Sequence, residues 1–262
     1  MRYVPFVGKM SKQPPAAIYD GKEIVVMQAQ LGEWDNLNHL IVCKSSGRAA
    51  IVDPYSGEYW IDYCESNDFT LDSVLLTHSH WDHTKGVEEI NSQVPNVRIW
   101  VHNLESLRGW NGPDTNRWNH DPLTSAKFQL GALTFDILCT PGHTPGHVTI
   151  CGHGIVISGD CLFLGRCGRT DLFGGDIESQ YSSLVYLKEV LSKLPNNWLV
   201  LPGHQYALED GENPTFLTVK DLLNHNLALK AAGNWNEFQN LEFLSFNDSL
   251  AEKARRQRAQ LE

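Results

Sequence analysis

Short apolar runs that end on glycine, proline or a polar turn recur along this chain, and their period sorts them into strands and helices. Residues 24–30, 40–43 and 49–52 read as early strands separated by turn residues. Val74-Leu75-Leu76 continues the pattern, residues 84–90 carry helix formers, and residues 97–101 alternate as a strand. Residues 127–139 read as a hairpin around Gly131, followed by short strands at 147–150, 154–157 and 198–200. Tyr181, Leu184, Val185, Leu187, Lys188 and Leu191 fall at helical spacing, which predicts a helix over residues 177–194 stopped by Pro195. A second helix is predicted over residues 215–232. This alternation indicates an α/β fold with two sheets covered outside by helices.

Candidate chemistry sits where four of these strands end. After Val74-Leu75-Leu76 comes Thr77-His78-Ser79-His80-Trp81-Asp82-His83, four metal-seeking side chains within six residues. On an extended backbone His78, His80 and Asp82 share one face, and the turn that follows brings His83 round to it. His143 emerges in Thr140-Pro141-Gly142-His143, Asp160 in Ser158-Gly159-Asp160, and His204 in Leu201-Pro202-Gly203-His204. Strand, small-residue turn, then ligand is the shared order, and imidazoles with carboxylates are donors that Zn and Fe prefer. Small residues let the backbone turn sharply at such points.

Taken together, these four segments resemble the metallo-β-lactamase superfamily, whose pattern is H-x-H-x-D-H, then a histidine, an aspartate and a histidine. The resemblance runs from about Asn38 to Tyr206. It implies a four-layer αβ/βα sandwich, for which no internal sequence repeat gives independent support. It also implies that His78, His80 and His143 hold one metal, that Asp82, His83 and His204 hold the other, and that Asp160 bridges them. Two divalent ions are expected, Zn first with Fe or Mn as alternatives, and a hydroxide shared between them as nucleophile. Asp82 is the candidate catalytic group, orienting that hydroxide and relaying its proton.

Gly159-Asp160-Cys161-Leu162-Phe163 followed by Cys167-Gly168-Arg169 looks like the glyoxalase II (hydroxyacylglutathione hydrolase) branch. The continuation Arg169-Thr170-Asp171 is closer to the persulfide dioxygenases, which keep one iron, here by position on His78, His143 and Asp160. The leading expectation is therefore a thioester hydrolase acting on a small S-acylglutathione-type molecule, with a mononuclear-iron persulfide dioxygenase second. A lactonase, a β-lactamase and a metal-binding protein without turnover complete the alternatives. Arg169 and Tyr206 are candidate substrate contacts, Arg169 alternatively a structural ion pair. Against glutathione stands the scarcity of cations in residues 207–248, which hold only Lys220 and Lys230.

The remaining histidines call for duller readings. His147 is expected to hydrogen-bond behind the ligands, and Asp53, at another strand end, to support the metal loop. His39, His102, His120, His153 and His225 show no ligand-spaced partners. Residues 102–122, with Trp110 and Trp118, read as an inserted loop near the metal mouth or as an ordinary surface loop with local packing.

Length and composition suit one soluble enzyme: 262 residues, 42% apolar and 20% charged, read as a domain over 20–210 with a helical extension over 211–262. Six cysteines without a C-x-x-C pair point to a reducing compartment, and Cys167 reads as structural rather than reactive. A net charge of −10 speaks against nucleic acid. No membrane partner is expected, because no run of about 18 apolar residues occurs. Residues 1–19 lack an apolar core of the secretory kind, so a cytoplasmic location is expected. The basic run Lys253–Arg258 reads as one face of a final short helix. Oligomeric state is left open.

Overall fold

Side-chain alternation along the strands feeds three separate cores. In the computed structural model, which describes residues 13–241, every residue of β3 (Asn36–Cys43) is buried, because both faces of that strand are covered. Ile41 and Cys43 point into a central core shared by two sheets, whereas Leu40 and Val42 point to an outer core under helices. The same period of two sorts β4 (Arg48–Val52), with Ala50 and Val52 inward and Ala49 and Ile51 outward.

One sheet has seven strands in the order β1 (Ala16–Asp20), β2 (Ile24–Leu31), β3, β4, β5 (Thr70–Leu75), β6 (Arg98–His102) and β7 (Asn116–Trp118). Its outer face carries α1 (Gly57–Ser66), which contributes Trp60, Ile61 and Cys64. Beyond the single turn α2 (Trp81–Thr84) lies α3 (Val87–Gln93), which adds Val87 and Ile90 to that face.

The second sheet runs in sequence from β8 (Ser125–Leu130) through β9 (Leu133–Cys139), β10 (Val148–Gly152), β11 (Ile155–Gly159) and β12 (Leu199–Pro202) to β13 (Leu217–Thr218). Its outer face is covered by α4 (Ile177–Ser192) through Leu184, Leu187 and Leu191. The short helices α5 (Val219–His225), α6 (Leu227–Ala231) and α7 (Trp235–Phe238) complete that layer. Helix, sheet, sheet, helix is the expected four-layer αβ/βα sandwich. Among the described residues no helix is long and apolar enough to cross a membrane.

The structure departs from the sequence expectations at breaks that local pattern does not announce. The helix expected over 84–90 is divided at Gly86, whose N–H goes to the Pro54 carbonyl at 2.8 Å and whose position would drive a Cβ into Gly57 N at 2.5 Å. The helix expected over 215–232 starts later and is cut at Asn226. Thr218 caps α5 through Asp221 N, and Asn226 caps α6 through Leu229 N while its Nδ2 donates to the Phe163 carbonyl at 2.8 Å. Residues 102–122 are not a plain loop: a 3-10 turn (Asn103–Arg108) is followed by β7, the edge strand. Trp118 is buried there, stacked on Trp100 with centroids 5.3 Å apart. Helix α1 and strand β1 are additions to the elements that the sequence pattern predicts. The basic run at 253–258 and most of the N-terminal segment lie outside the described residues.

His39 is a core histidine. Burial pushes its pKa down to about 3, and Gln28 Nε2 donates to its Nε2 at 3.0 Å. A folded-state pKa below the ordinary value of 6.5 supplies stability that is present above pH 6.5 and lost as pH falls toward 3. Calorimetric melts are expected to lose up to about 1.4 kcal/mol per pH unit from this group between pH 6 and 4. His39→Leu should flatten that part of the profile.

Candidate metal centre

The carboxyl ends of β5, β9, β11 and β12 converge on one point between the sheets. Backbone bonds join the layers there: Val148 N–H donates to the Thr77 carbonyl and Leu37 N–H to the Gly203 carbonyl, both at 2.8 Å, and Gln205 N–H to the Asp35 carbonyl at 3.1 Å. The loop after β5 carries His78 and His80. Asp82 does not continue that extended face, as the sequence suggested; it sits with His83 on the single helical turn α2, which rotates both toward His204. His78, His80 and His143 form one group with all ligand atoms within 4.8 Å of each other, and Asp82, His83 and His204 form a second group by the same measure.

Hydrogen bonds from behind decide which ring nitrogen faces inward. Thr77 Oγ1 gives its hydrogen to Asp53 Oδ2 at 2.5 Å, so it accepts from His78 Nδ1–H at 3.0 Å. His83 Nδ1–H donates to Asp53 Oδ2 at 2.9 Å, His143 Nδ1–H to the Arg169 carbonyl at 2.7 Å, and His204 Nδ1–H to the Trp34 carbonyl at 2.8 Å. Each of these four rings therefore aims an Nε2 lone pair into the site. His80 presents Nδ1 instead, 2.9 Å from His143 Nε2.

This is a donor set that fits a pair of cations. His83 Nε2 and His204 Nε2 face each other at 3.0 Å, an arrangement that demands positive charge between them. Asp160 reaches both groups, with Oδ2 3.6 Å from His143 Nε2 and 3.3 Å from His204 Nε2. Asp82 Oδ2 lies 3.3 Å from His204 Nε2 and 3.4 Å from His83 Nε2. Metal bonds of about 2.0–2.2 Å at a tetrahedral centre give ligand-to-ligand edges of about 3.3–3.6 Å. Among the described residues, His78 Nε2 and Asp160 Oδ1 are buried without a hydrogen-bond partner, which a bound cation would supply.

Electrostatics agree. Burial alone would lower the pKa of His83, yet the carboxylates of Asp82, Asp160 and Asp53 raise it to about 9. Burial would likewise raise Asp160 and Asp82, but the surrounding histidines hold both carboxylates well below the usual range and therefore ionised. Burial keeps His78, His80 and His147 neutral, as ligands and acceptors must be.

His147 and Asp53 lie where the sequence suggested. His147 Nε2 accepts from Asp160 N–H and Cys161 N–H, each at 3.1 Å, so its Nδ1–H points to Thr140 Oγ1 and the ring fixes the backbone that presents Asp160. Asp53 adopts φ +50, which aspartate tolerates, and accepts from Thr77 N at 2.7 Å besides orienting His83. Gly203 is required by close approach, since a Cβ there would stand 2.2 Å from Asp160 Oδ1. Asp53→Asn is expected to weaken metal affinity about 10–100-fold, because the amide must choose between accepting from Thr77 and from His83. Competition with a chromophoric chelator reads that change.

Two supports were invisible in the sequence. Asn36 Nδ2 donates to Asp82 Oδ2 at 2.8 Å, from the buried start of β3. Glu105, fully buried in the 3-10 turn, accepts from Ser79 N and Gly146 N at 2.8 Å each, and from Ser79 Oγ. It thereby ties the His78–His80 loop to the His143–His147 loop. Neither residue belongs to a recognisable motif.

Of the two proposed substrate contacts, Arg169 makes a bidentate pair with Asp171 at 2.6 and 2.9 Å, and Tyr206 packs on Phe163 with centroids 4.8 Å apart. Arg108, from the 102–122 segment, donates to Ser79 Oγ at 3.0 Å and to the Phe173 carbonyl at 2.7 Å. Cys167 is buried, its thiol pushed up to about 12 by burial, and all six cysteines are free. His102 and His120 depart from expectation: they do meet a ligand-spaced partner, Cys139, with which they form a separate group.

The sequence profile described as the metallo-beta-lactamase superfamily matches residues 33–204. The cytoplasmic hydroxyacylglutathione hydrolase of Arabidopsis thaliana is 34% identical over 184 residues, which are 68% of this chain and 67% of that protein. In other hydroxyacylglutathione hydrolases the matched segment spans 62–65% of their own length. The crystal structure of ETHE1 from Myxococcus xanthus is similar with a TM-score of 0.66 and 25% identity, over 88% of this chain and 97% of that one. TTHA1623 in a di-iron-bound form is similar with a TM-score of 0.57 and 26% identity, over 76% and 98%.

Proposed function

Because this chain belongs to the metallo-β-lactamase superfamily, we propose that its strand-end site holds two divalent ions and hydrolyses a thioester of a small thiol, of the S-acylglutathione kind. One observation carries this reading: two three-ligand groups share the carboxylate of Asp160, and His78, His83, His143 and His204 are held from behind so that each points an Nε2 lone pair inward. His78, His80 and His143 would hold one ion and Asp82, His83 and His204 the other, with Asp160 between them. Such a pair lowers the pKa of water toward about 7 and polarises a carbonyl oxygen. Zn suits the mixed imidazole and carboxylate donors, with Fe or Mn as substitutes.

The chain's own groups supply the remaining steps. Asp82, kept ionised and steered by Asn36 Nδ2, accepts a proton from the attacking water and passes it to the departing thiolate. Arg169 and Tyr206 are the proposed contacts for the thiol portion, the guanidinium shared with Asp171 and the phenol ring beside His204 with centroids 6.3 Å apart. Hydroxyacylglutathione hydrolases among the relatives support a glutathione conjugate as substrate class and, with the Arabidopsis protein, a cytoplasmic location. The unit is read as one domain over 20–210 with an extension over 211–262, of which residues 242–262 lie outside the described residues.

A second reading is kept for one observation, the run Arg169-Thr170-Asp171, alongside the likeness to ETHE1: a persulfide dioxygenase with one iron on His78, His143 and Asp160. Elemental analysis of protein purified without chelator, paired with anaerobic thioester assays, separates the two. About two metals per chain, or three where the separate group of His102, His120 and Cys139 is also loaded, and turnover without oxygen are expected. A single iron with oxygen uptake on a glutathione persulfide would replace the first reading with the second.

A further inference from the structure

We infer that His102, His120 and Cys139 form a second cation site, separate from the seven-residue centre, for a thiophilic divalent ion of the zinc class. The three residues lie far apart in the chain, at the end of β6, in the loop after β7 and at the end of β9. They bring one ligand atom each within 4.8 Å of one another. Two imidazoles and a thiol are a zinc donor set, and a carboxylate or water completes four-coordination.

The ring of His120 points most directly to a ligand. Both of its nitrogens are buried and neither makes a well-aligned hydrogen bond among the described residues, although the backbone of Ile137 lies near enough to act on the ring. Such groups are costly unless something binds them. His120 packs edge-on against His102, with centroids 5.0 Å apart. Cys139 is buried, and burial, with Glu105 and Asp121 nearby, pushes its thiol up to about 12. A bare thiolate is therefore not populated there, and its ionisation needs a cation.

Loading would proceed by proton release: the Cys139 S–H bond breaks, the sulfur–metal bond forms, and the proton leaves to solvent. His102 now accepts from Leu104 N–H at 3.3 Å through Nδ1 and donates from Nε2 to the His120 carbonyl at 3.0 Å. Binding through Nδ1 would give up only the longer of those bonds and keep the Nε2 donation, whereas binding through Nε2 would move the proton to Nδ1 and cost both. The ion would pin the 120 loop to the two strands whose extensions carry Glu105 and His143, so its effect on the first centre is mechanical.

Sulfur makes the site separately observable, because none of the seven residues of the main centre is a cysteine. The full chain, stripped with chelator and titrated with Co2+, should develop a thiolate-to-cobalt charge-transfer band in the near ultraviolet. Zn2+ should bleach that band. Cys139→Ser should abolish it and His120→Gln should weaken cobalt binding at least about tenfold, whereas Asp160→Asn should leave it in place. No band in the wild-type chain, or a band that survives Cys139→Ser, overturns the site. Either result leaves the thioester hydrolase reading untouched, since that is judged by metal count at the first centre and by turnover. His120 is only partly buried, so His120→Gln keeps the test open if the serine variant fails to fold.

Discussion

Asp160→Asn is expected to cut thioester turnover by about 10³-fold or more and to drop the metal count of the main centre below two per chain. Asp160 faces the inward nitrogens of both ligand groups, through Oδ2 at 3.6 Å from His143 Nε2 and 3.3 Å from His204 Nε2. Asparagine keeps the volume, so the close contact with Gly203 survives and no cavity opens. What is lost is one negative charge that opposes two cations and one oxygen able to bridge them. A loss of about 4 kcal/mol in transition-state stabilisation corresponds to the stated factor. Secondary structure by circular dichroism should be unchanged, since the side chain sits past the end of β11, outside the three cores. Full turnover with two metals bound would remove Asp160 from its bridging role.

Glu105→Ala should be the most destabilising single change near the site, costing about 3–5 kcal/mol. The carboxylate is fully buried and accepts from two backbone N–H groups on different ligand loops. Alanine leaves both donors without their partner. It also takes the carboxylate away from Arg108, whose Nη1 lies 3.9 Å off and whose side chain is only 9% exposed. For a chain of this size the melting temperature should fall by roughly 10 °C, and metal affinity should weaken about 10–100-fold because both loops lose their tie. Glu105→Gln keeps one oxygen but turns an amide N–H toward the other donor, so an intermediate loss is expected. Thermal melts with and without chelator separate the fold contribution from the metal contribution. An alanine variant within 1 kcal/mol of the parent would mean that the two loops hold each other without Glu105.

Legibility varied with how local the cause was. The strands over 24–30, 49–52 and 127–139 emerged as short apolar runs bounded by turn residues, because cover on both faces asks for apolar side chains along each strand separately. The helix over 177–194 likewise carried its own stripe and its own stop at Pro195. The breaks at Gly86 and Asn226 did not, since each answers a partner elsewhere: the Pro54 carbonyl for one, the Phe163 carbonyl for the other. Arg169 shows the same division, its charge plain in the sequence and its pairing with Asp171 a matter of folded geometry.

By itself, the sequence determined which donors this protein owns, the order in which strand ends deliver them, and the α/β layering that brings strand ends together. Only the tertiary structure decided which nitrogen each histidine presents. That choice is made by acceptors far along the chain: Trp34 for His204, 170 residues away, Asp53 for His83, 30 away, and Arg169 for His143, 26 away. It also decided that His102, His120 and Cys139 meet. A donor's chemistry is a property of one residue, but the direction of its lone pair is set by whatever hydrogen-bonds behind it, and that exists only once the sheets have packed.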